Sequence, residues 1–274
     1  MNENQLKQIA WERRLDVLEM VFNSKAGHIG GSFSCMDILV TLYYSWFDTE
    51  KIIQGKADRD RFILSKGHCG EALYAVLADR GFFPKKELET FASFDTALAE
   101  HPTAKVPGVE IATGALGHGL AVGLGMAYAL RQDKSAARVV VLMGDGEQAE
   151  GSVWEAAMAA AKFSPGNLVA FIDRNFLEIS GHTEEIMPLE KLDEKYRAFG
   201  WEALHCNGHE PASILDALNR RSPEKPTVII ASTVKGYGSA VLENKAECHH
   251  MIPSETQYAE IKKDIAGHLE LCHA

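Results

Sequence analysis

The sequence contains no run of five or six lysines and arginines, no Cys-x-x-Cys pair, no uninterrupted apolar stretch of membrane length, no internal repeat and no linker rich in Gly, Ser and Pro. Each absence excludes something. Its 274 residues include 38 acidic against 28 basic side chains, for a net charge of -10. The chain therefore lacks the electrostatic footprint that a nucleic-acid backbone or an anionic membrane requires, and neither is expected as a partner. The five cysteines, Cys35, Cys69, Cys206, Cys248 and Cys272, stand far apart, which argues against a zinc knuckle and against a secreted disulfide framework. Reduced thiols in a cytoplasmic protein are expected. The stretch nearest to membrane length, Thr113 to Leu130, holds five glycines and a histidine and runs into Arg131-Gln132-Asp133-Lys134, so it reads as a buried glycine-rich helix and not as a span. The opening segment MNENQLKQIAWERRLDVLEMVF has no signal-type apolar core; its spacing predicts an amphipathic helix over about residues 3–25.

What is present is a globular composition, 46% hydrophobic and 24% charged, enough to bury roughly three quarters of the unfolded surface. Short apolar runs rich in β-branched residues occur at Arg61–Ser65, Arg138–Met143, Asn167–Asp173 and Thr227–Ser232. They are too short for helices and lack alternation, which is how strands buried on both faces read. Helical patterns lie between and around them, at Gly70–Arg80, Leu116–Arg131, Ser152–Lys162, Leu189–Phe199 and Pro211–Arg220. The alternation predicts an α/β fold, a mostly parallel central sheet with helices on both faces, in one domain over residues 1–274. In such sheets ligands sit beyond the carboxyl ends of the strands, so the loops that follow strands are where chemistry is expected.

The loop after the second run is Gly144-Asp145-Gly146-Glu147, and the loop after the third holds Asn175. Neighbouring strand ends would aim a carboxylate and an amide oxygen at one point, a donor set suited to a hard cation such as Mg²⁺ completed by phosphate oxygens. Taken singly, Gly-Asp-Gly is an ordinary turn and Asn175 an ordinary loop amide. Three histidines with glycine neighbours, His28, His68 and His118, add groups able to move protons near neutral pH. His118 is the weakest of them, since helix packing explains it equally well.

Gly144-Asp145-Gly146 followed after nearly thirty residues by Asn175 resembles the thiamine-diphosphate motif. Together with Ala26-Gly27-His28-Ile29-Gly30-Gly31-Ser32, Ser65-Lys66-Gly67-His68, Glu100-His101-Pro102, Thr113-Gly114-Ala115-Leu116-Gly117-His118-Gly119 and Thr233-Val234-Lys235-Gly236-Tyr237-Gly238, it resembles, in order and spacing, the cofactor-diphosphate half of transketolase. The similarity runs from about residue 5 to about 265. It implies the thiamine-diphosphate-binding fold and transfer of a two-carbon ketol unit from a ketose phosphate to an aldose phosphate. It also implies thiamine diphosphate and Mg²⁺ (or Ca²⁺ or Mn²⁺) as cofactors, the metal being held by Asp145, Asn175 and the carbonyl of Leu177. By the same resemblance His68, Gly114, Ala115, Leu116, Gly146, Glu150, Asn175 and His249 contact the cofactor or support its site, Glu150 with Glu155 linking two active sites. His28, His101 and His249 face the substrate. Here the chain departs from the usual pattern, reading Cys248-His249-His250 where the family commonly has His-Gly.

The pyrimidine-binding half of a transketolase, which would carry the activating glutamate and the sugar-phosphate grip, is not found in these 274 residues. The resemblance thus implies an N-terminal subunit of a split enzyme, working with a C-terminal transketolase subunit in an α2β2 assembly. The alternatives are a cofactor-binding subunit of a 2-oxo-acid dehydrogenase, a deoxyxylulose-phosphate synthase, or a degenerate non-catalytic subunit. Intact Asp145, Asn175, His28 and His68 speak against the last. The Glu100-His101-Pro102 and Thr113–Leu120 motifs speak against the first.

Overall fold

The computed structural model describes residues 1–163 and 165–273. The elements follow in the order α1 (Glu3–Ser24), α2 (Ile29–Thr41), α3 (Thr49–Ile53), β1 (Arg61–Leu64), α4 (Gly70–Asp79), α5 (Gly119–Gln132), β2 (Val139–Gly144), α6 (Gly151–Phe163), β3 (Leu168–Arg174), β4 (Leu177–Glu178), β5 (Gly181–His182), α7 (Thr183–Ile186), α8 (Leu192–Phe199), β6 (Glu202–Asn207), α9 (Pro211–Asn219), β7 (Thr227–Ser232) and α10 (Glu255–His273).

Five strands form one parallel sheet in the order β1-β2-β3-β7-β6, while β4 and β5 make a small separate hairpin. Alternate strand residues feed two cores. Phe62, Val140, Leu142, Val169, Phe171 and Ile229 pack under α1, α2, α4, α9 and α10. Ile63, Val141, Met143, Ala170, Ile172, Val228 and Ile230 pack under α5, α6 and α8. The layering obeys crossover handedness. The chain steps in one direction from β1 to β2, β3 and β6, with α5, α6 and α8 on one face; it steps back from β6 to β7, and α9 lies on the other.

Four predicted strands and five predicted helices are present, with two starts moved. The helix expected from Leu116 begins at Gly119, because Gly117 holds φ +86°, a conformation helical backbone excludes and glycine tolerates. The helix expected from Leu189 begins at Leu192, because Glu184 captures the backbone N–H groups of Leu189 and Glu190 first. The opening helix is present but not with the expected exposed polar side. Its arginines Arg13 and Arg14 are buried together with Leu6, Ala10, Trp11, Val17 and Val21, since α2, α4, α9 and α10 all pack around it.

Arg14 is fully buried and spans two elements. Its guanidinium binds both carboxylate oxygens of Asp37 (3.3 and 2.5 Å) and the carbonyl of Phe33, and lies over the Trp11 ring at 4.5 Å. Asp37 also meets His209 Nδ1 at 2.9 Å, and His209 Nε2 accepts the N–H of Val234 at 2.8 Å. Burial alone would raise the pKa of Asp37, but Arg14 and His209 hold it below the usual carboxylate range. Removing one member of such a buried pair leaves an uncompensated charge. Arg14→Met is expected to cost about 3–5 kcal/mol in urea unfolding, and Arg14→Met with Asp37→Leu is expected to recover much of that loss. Equal costs for the single and double variants would contradict this account.

Candidate active site

The ends of β1, β2, β3 and β7 stand side by side, so the loops that follow them converge. At their centre lies Asp173, fully buried near the end of β3. Its carboxylate accepts from Lys66 Nζ in the loop after β1, from Ser34 Oγ of α2 (2.5 Å) and from Thr233 Oγ1 after β7. Lys66 Nζ also reaches the carbonyl of Gly31 (3.3 Å). Burial opposes the Lys66 ammonium, yet Asp173 keeps its pKa well above the ordinary lysine value. At the end of β2, Asp145 receives the N–H groups of Gly146 (2.8 Å) and Phe176 (2.7 Å) and Arg174 Nη1 (3.3 Å). Burial, then the neighbouring Asp173, push its pKa up. Arg174 and the two N–H groups compensate that burial in part.

Two further charged residues build the walls. Glu147 is buried and accepts from Ser65 Oγ, Gly117 N (2.8 Å) and Gly144 N (3.0 Å), tying the loop after β2 to the turn that precedes α5. Lys235, 2% exposed, donates to the carbonyl of Leu177 (3.3 Å) and meets His249 Nδ1 at 3.0 Å. Burial lowers its pKa. Because an ammonium can only donate, His249 Nδ1 is the acceptor here, which assigns the ring proton to Nε2.

Four imidazoles gather around His28, whose ring centroid lies 5.5 Å from His68, 5.6 Å from His101, 5.4 Å from His249 and 4.7 Å from His250. Burial, then the His68 imidazole, push the pKa of His28 down to about 4. Burial and the Lys235 ammonium push that of His249 down to about 3. Both rings are therefore neutral at pH 7, and the 3.8 Å approach of His28 Nδ1 to Glu100 is not an ion pair. The backbone N–H of His28 is held by Glu71 (2.6 Å), a buried acid whose pKa burial raises to about 8.

These groups line one cleft of about 400 Å³. It brings together His28, His68, His101, Gly114, Leu116, Asp145, Gly146, Asn175, Leu177 and His249, with Lys66, Glu147, Lys235 and the hairpin residues Glu178, Ile179 and Ser180. Ala115, Glu150, Glu155 and His118 are exposed and stand outside the lining. The Gly146 N–H turns to its own neighbour Asp145, and Asn175 Oδ1 accepts from Leu177 N (3.1 Å). His250, half exposed, lies at the cleft mouth and not in its wall. Asp173, Glu147, Lys66 and Lys235 had no assigned role in the sequence. A usable signal existed for the lysines, since each follows a buried strand within three residues and precedes a glycine.

A cleft at the carboxyl edge of a parallel sheet, lined by buried lysines beside Asp145, Asn175 and Leu177, is where an α/β domain of this kind takes a ligand. The chain belongs to the transketolase family, matching its thiamine diphosphate binding domain over residues 5–268. It is 45% identical over 265 residues to one of the subunits of an apulose-4-phosphate transketolase of Phocaeicola vulgatus, covering 94% of this chain and 93% of that one. It is 39% identical to a 6-deoxy-6-sulfo-D-fructose transketolase subunit of Clostridium sp., covering 90% and 92%. Among solved structures, a transketolase of Campylobacter jejuni superposes with a TM-score of 0.87 at 30% identity, covering 97% of this chain and 43% of that one. The chain thus spans less than half the length of that solved relative. Its kinship is with transketolase subunits, and it is a transferase component of that class.

The depressed imidazoles set a pH dependence of stability. Between pH 6.5 and about 4 the unfolded chain protonates His28 while the folded chain does not, so stability must fall as pH falls through that window. Glu71, protonated in the fold up to about pH 8, works in the opposite sense between pH 4.5 and 8. In thermal melts, His28→Asn is expected to flatten the decline between pH 6.5 and 4.5 relative to the wild type. Parallel curves for the two proteins would contradict a neutral His28.

Proposed function

We propose that this chain is the diphosphate-binding subunit of a two-chain transketolase, holding thiamine diphosphate with Mg²⁺ and acting on sugar phosphates with a separate C-terminal subunit. One observation carries the reading: Asp145 after β2, Asn175 after β3 and Leu177 of β4 line a single cleft together with the buried lysines Lys66 and Lys235. The donors Asp145, Asn175 Oδ1 and the Leu177 carbonyl fit a hard cation.

In this reading Asp145, Asn175 and Leu177 hold the metal, and Lys66 and Lys235 offset the diphosphate charge. His68, Gly114, Leu116 and Gly146 line the cofactor's path, with Ala115 beside it on the exposed side of the same loop. When bound, the cofactor supplies the electron sink for carbon–carbon bond cleavage. His28, His101 and His249 orient the ketose hydroxyls, and the neutral His28 and His249 rings accept or donate protons as the hydroxyls require. Glu150 and Glu155, exposed near the start of α6, lie where a partner chain can meet them. So do the apolar side chains Val122 and Tyr128 of α5 and Met158 and Phe163 of α6, all exposed. A pyrimidine-binding partner completing each cleft gives an α2β2 assembly. Residues 1–274 act as one domain, in the cytoplasm, where the unbridged cysteines remain reduced. The substrates in the relatives' names, apulose 4-phosphate and 6-deoxy-6-sulfo-D-fructose, support a donor sugar bearing an anionic group.

Three measurements test this. Asp145→Ala is expected to abolish Mg²⁺-dependent binding of thiamine diphosphate in calorimetry; strong metal-free binding by the wild type would remove the metal from the account. The chain by itself is expected to show no ketol transfer until a C-terminal subunit is added, so robust turnover alone would exclude the two-chain reading. In the reconstituted enzyme, His28→Ala or His249→Ala is expected to lower turnover by roughly 10²-fold, the usual scale for a positioned acid or base.

A further inference from the structure

The histidine at position 250, where the resembling motif reads glycine, has specific neighbours. A 3₁₀ turn, Ala246–His250, brings it to the cleft mouth, its Nε2 3.5 Å from Glu100 Oε2. The same carboxylate oxygen lies 3.8 Å from His28 Nδ1, and the two rings stand 4.7 Å apart. His28 Nδ1 is buried and has no hydrogen-bond partner, although the His28 side chain is otherwise closely surrounded. One ligand atom from each of the three residues falls within 4.8 Å of the other two. An orphaned imidazole nitrogen, a carboxylate and a second imidazole therefore converge on one small volume.

We propose that His28, Glu100 and His250 form a binding site for a divalent transition ion of the Zn²⁺ class, and that the ion inhibits by taking His28 away from the substrate. Two imidazoles and one carboxylate are a borderline donor set, the kind that binds such ions with positions left open for water. The trio Asp145, Asn175 and Leu177 offers oxygen only and selects a hard cation, so the two sites sort metals by chemistry. Bringing the ligand atoms to about 2.0–2.2 Å from a common ion requires them to close together by roughly 1 Å. The solvent-facing Glu100 and His250 side chains can supply that movement while His28 stays fixed. The metal site itself stands on these three residues. Only the inhibition rests on the proposed role of His28.

Co²⁺ titrated into the purified chain, without thiamine diphosphate, Mg²⁺ or a second chain, gives a direct readout through its visible d–d absorption, which Zn²⁺ should displace. Glu100→Gln and His250→Gly are each expected to weaken Co²⁺ binding by at least about tenfold. His205→Ala, a change at an exposed position of β6 outside the cleft lining, is expected to leave it unaltered. Absence of the absorption, or wild-type affinity in both cleft variants, overturns the site. In the enzyme reconstituted with its partner, Zn²⁺ is expected to raise KM for the ketose with kcat unchanged, and His250→Gly is expected to remove that effect. Inhibition that lowers kcat alone overturns the mechanism. Because the titration contains no substrate or cofactor, its outcome is independent of whether the transketolase reading holds.

Discussion

A carboxylate placed at the middle of the sheet's carboxyl edge, Asp173, imposes the condition on which the site depends. It is fully buried, and a charge removed from water must be surrounded by donors or it destabilises the fold. Besides the nearby Asn175 amide (3.5 Å), its donors come from three separate parts of the chain: Ser34 in α2, Lys66 after β1 and Thr233 after β7. Each stands close in sequence to a residue of the cleft wall. Gly31 precedes Ser34 by three residues, His68 follows Lys66 by two, Lys235 follows Thr233 by two, and Asn175 follows Asp173 itself by two. Satisfying one buried anion therefore also gathers the cleft, and the fold and the site share a cause.

Around that centre the charges are arranged with little freedom. Arg174, 2% exposed, joins Asp145 to Glu184 and Glu190 across the β4–β5 hairpin, while Lys235 bridges the hairpin carbonyl of Leu177 to His249. The result is a cleft whose positive groups are buried lysines and in which the His28 and His249 rings are neutral. An anion would find charge at the buried lysines and uncharged proton donors and acceptors at His28 and His249.

Much of this was legible in the sequence, for identifiable reasons. The parallel strands read clearly because burial on both faces leaves β-branched runs without alternation. β6 did not, because as an edge strand it mixes Glu202, His205 and Asn207 among its apolar residues. α2 escaped notice for the reverse reason: all thirteen of its residues are buried, so no polar stripe marks a helical period. The histidines and Asp145 were recognisable through their glycine neighbours and motif order. Lys66, Lys235, Glu147 and Asp173 were not assigned, since a charged residue in sequence reads as surface and only tertiary contacts show what buries it. Packing sends His249 into the cleft wall and leaves His250 at the mouth.

The turn before α5 has a consequence for how tightly anything can bind along it. Thr113 N bonds the Pro102 carbonyl, Gly117 N bonds Glu147, Ser152 Oγ holds the Gly117 carbonyl, and Gly119 N bonds Ser65 Oγ. A side chain on Gly67 would sit 2.6 Å from Gly114 N, so the backbones there are already in contact. Ordering a residue's backbone costs about 1–2 kcal/mol. A loose six-residue wall would then consume an amount comparable to the roughly 8 kcal/mol of a micromolar complex. Here that ordering is completed when the chain folds, and a ligand laid against residues 113–118 meets a surface whose conformational entropy is already gone.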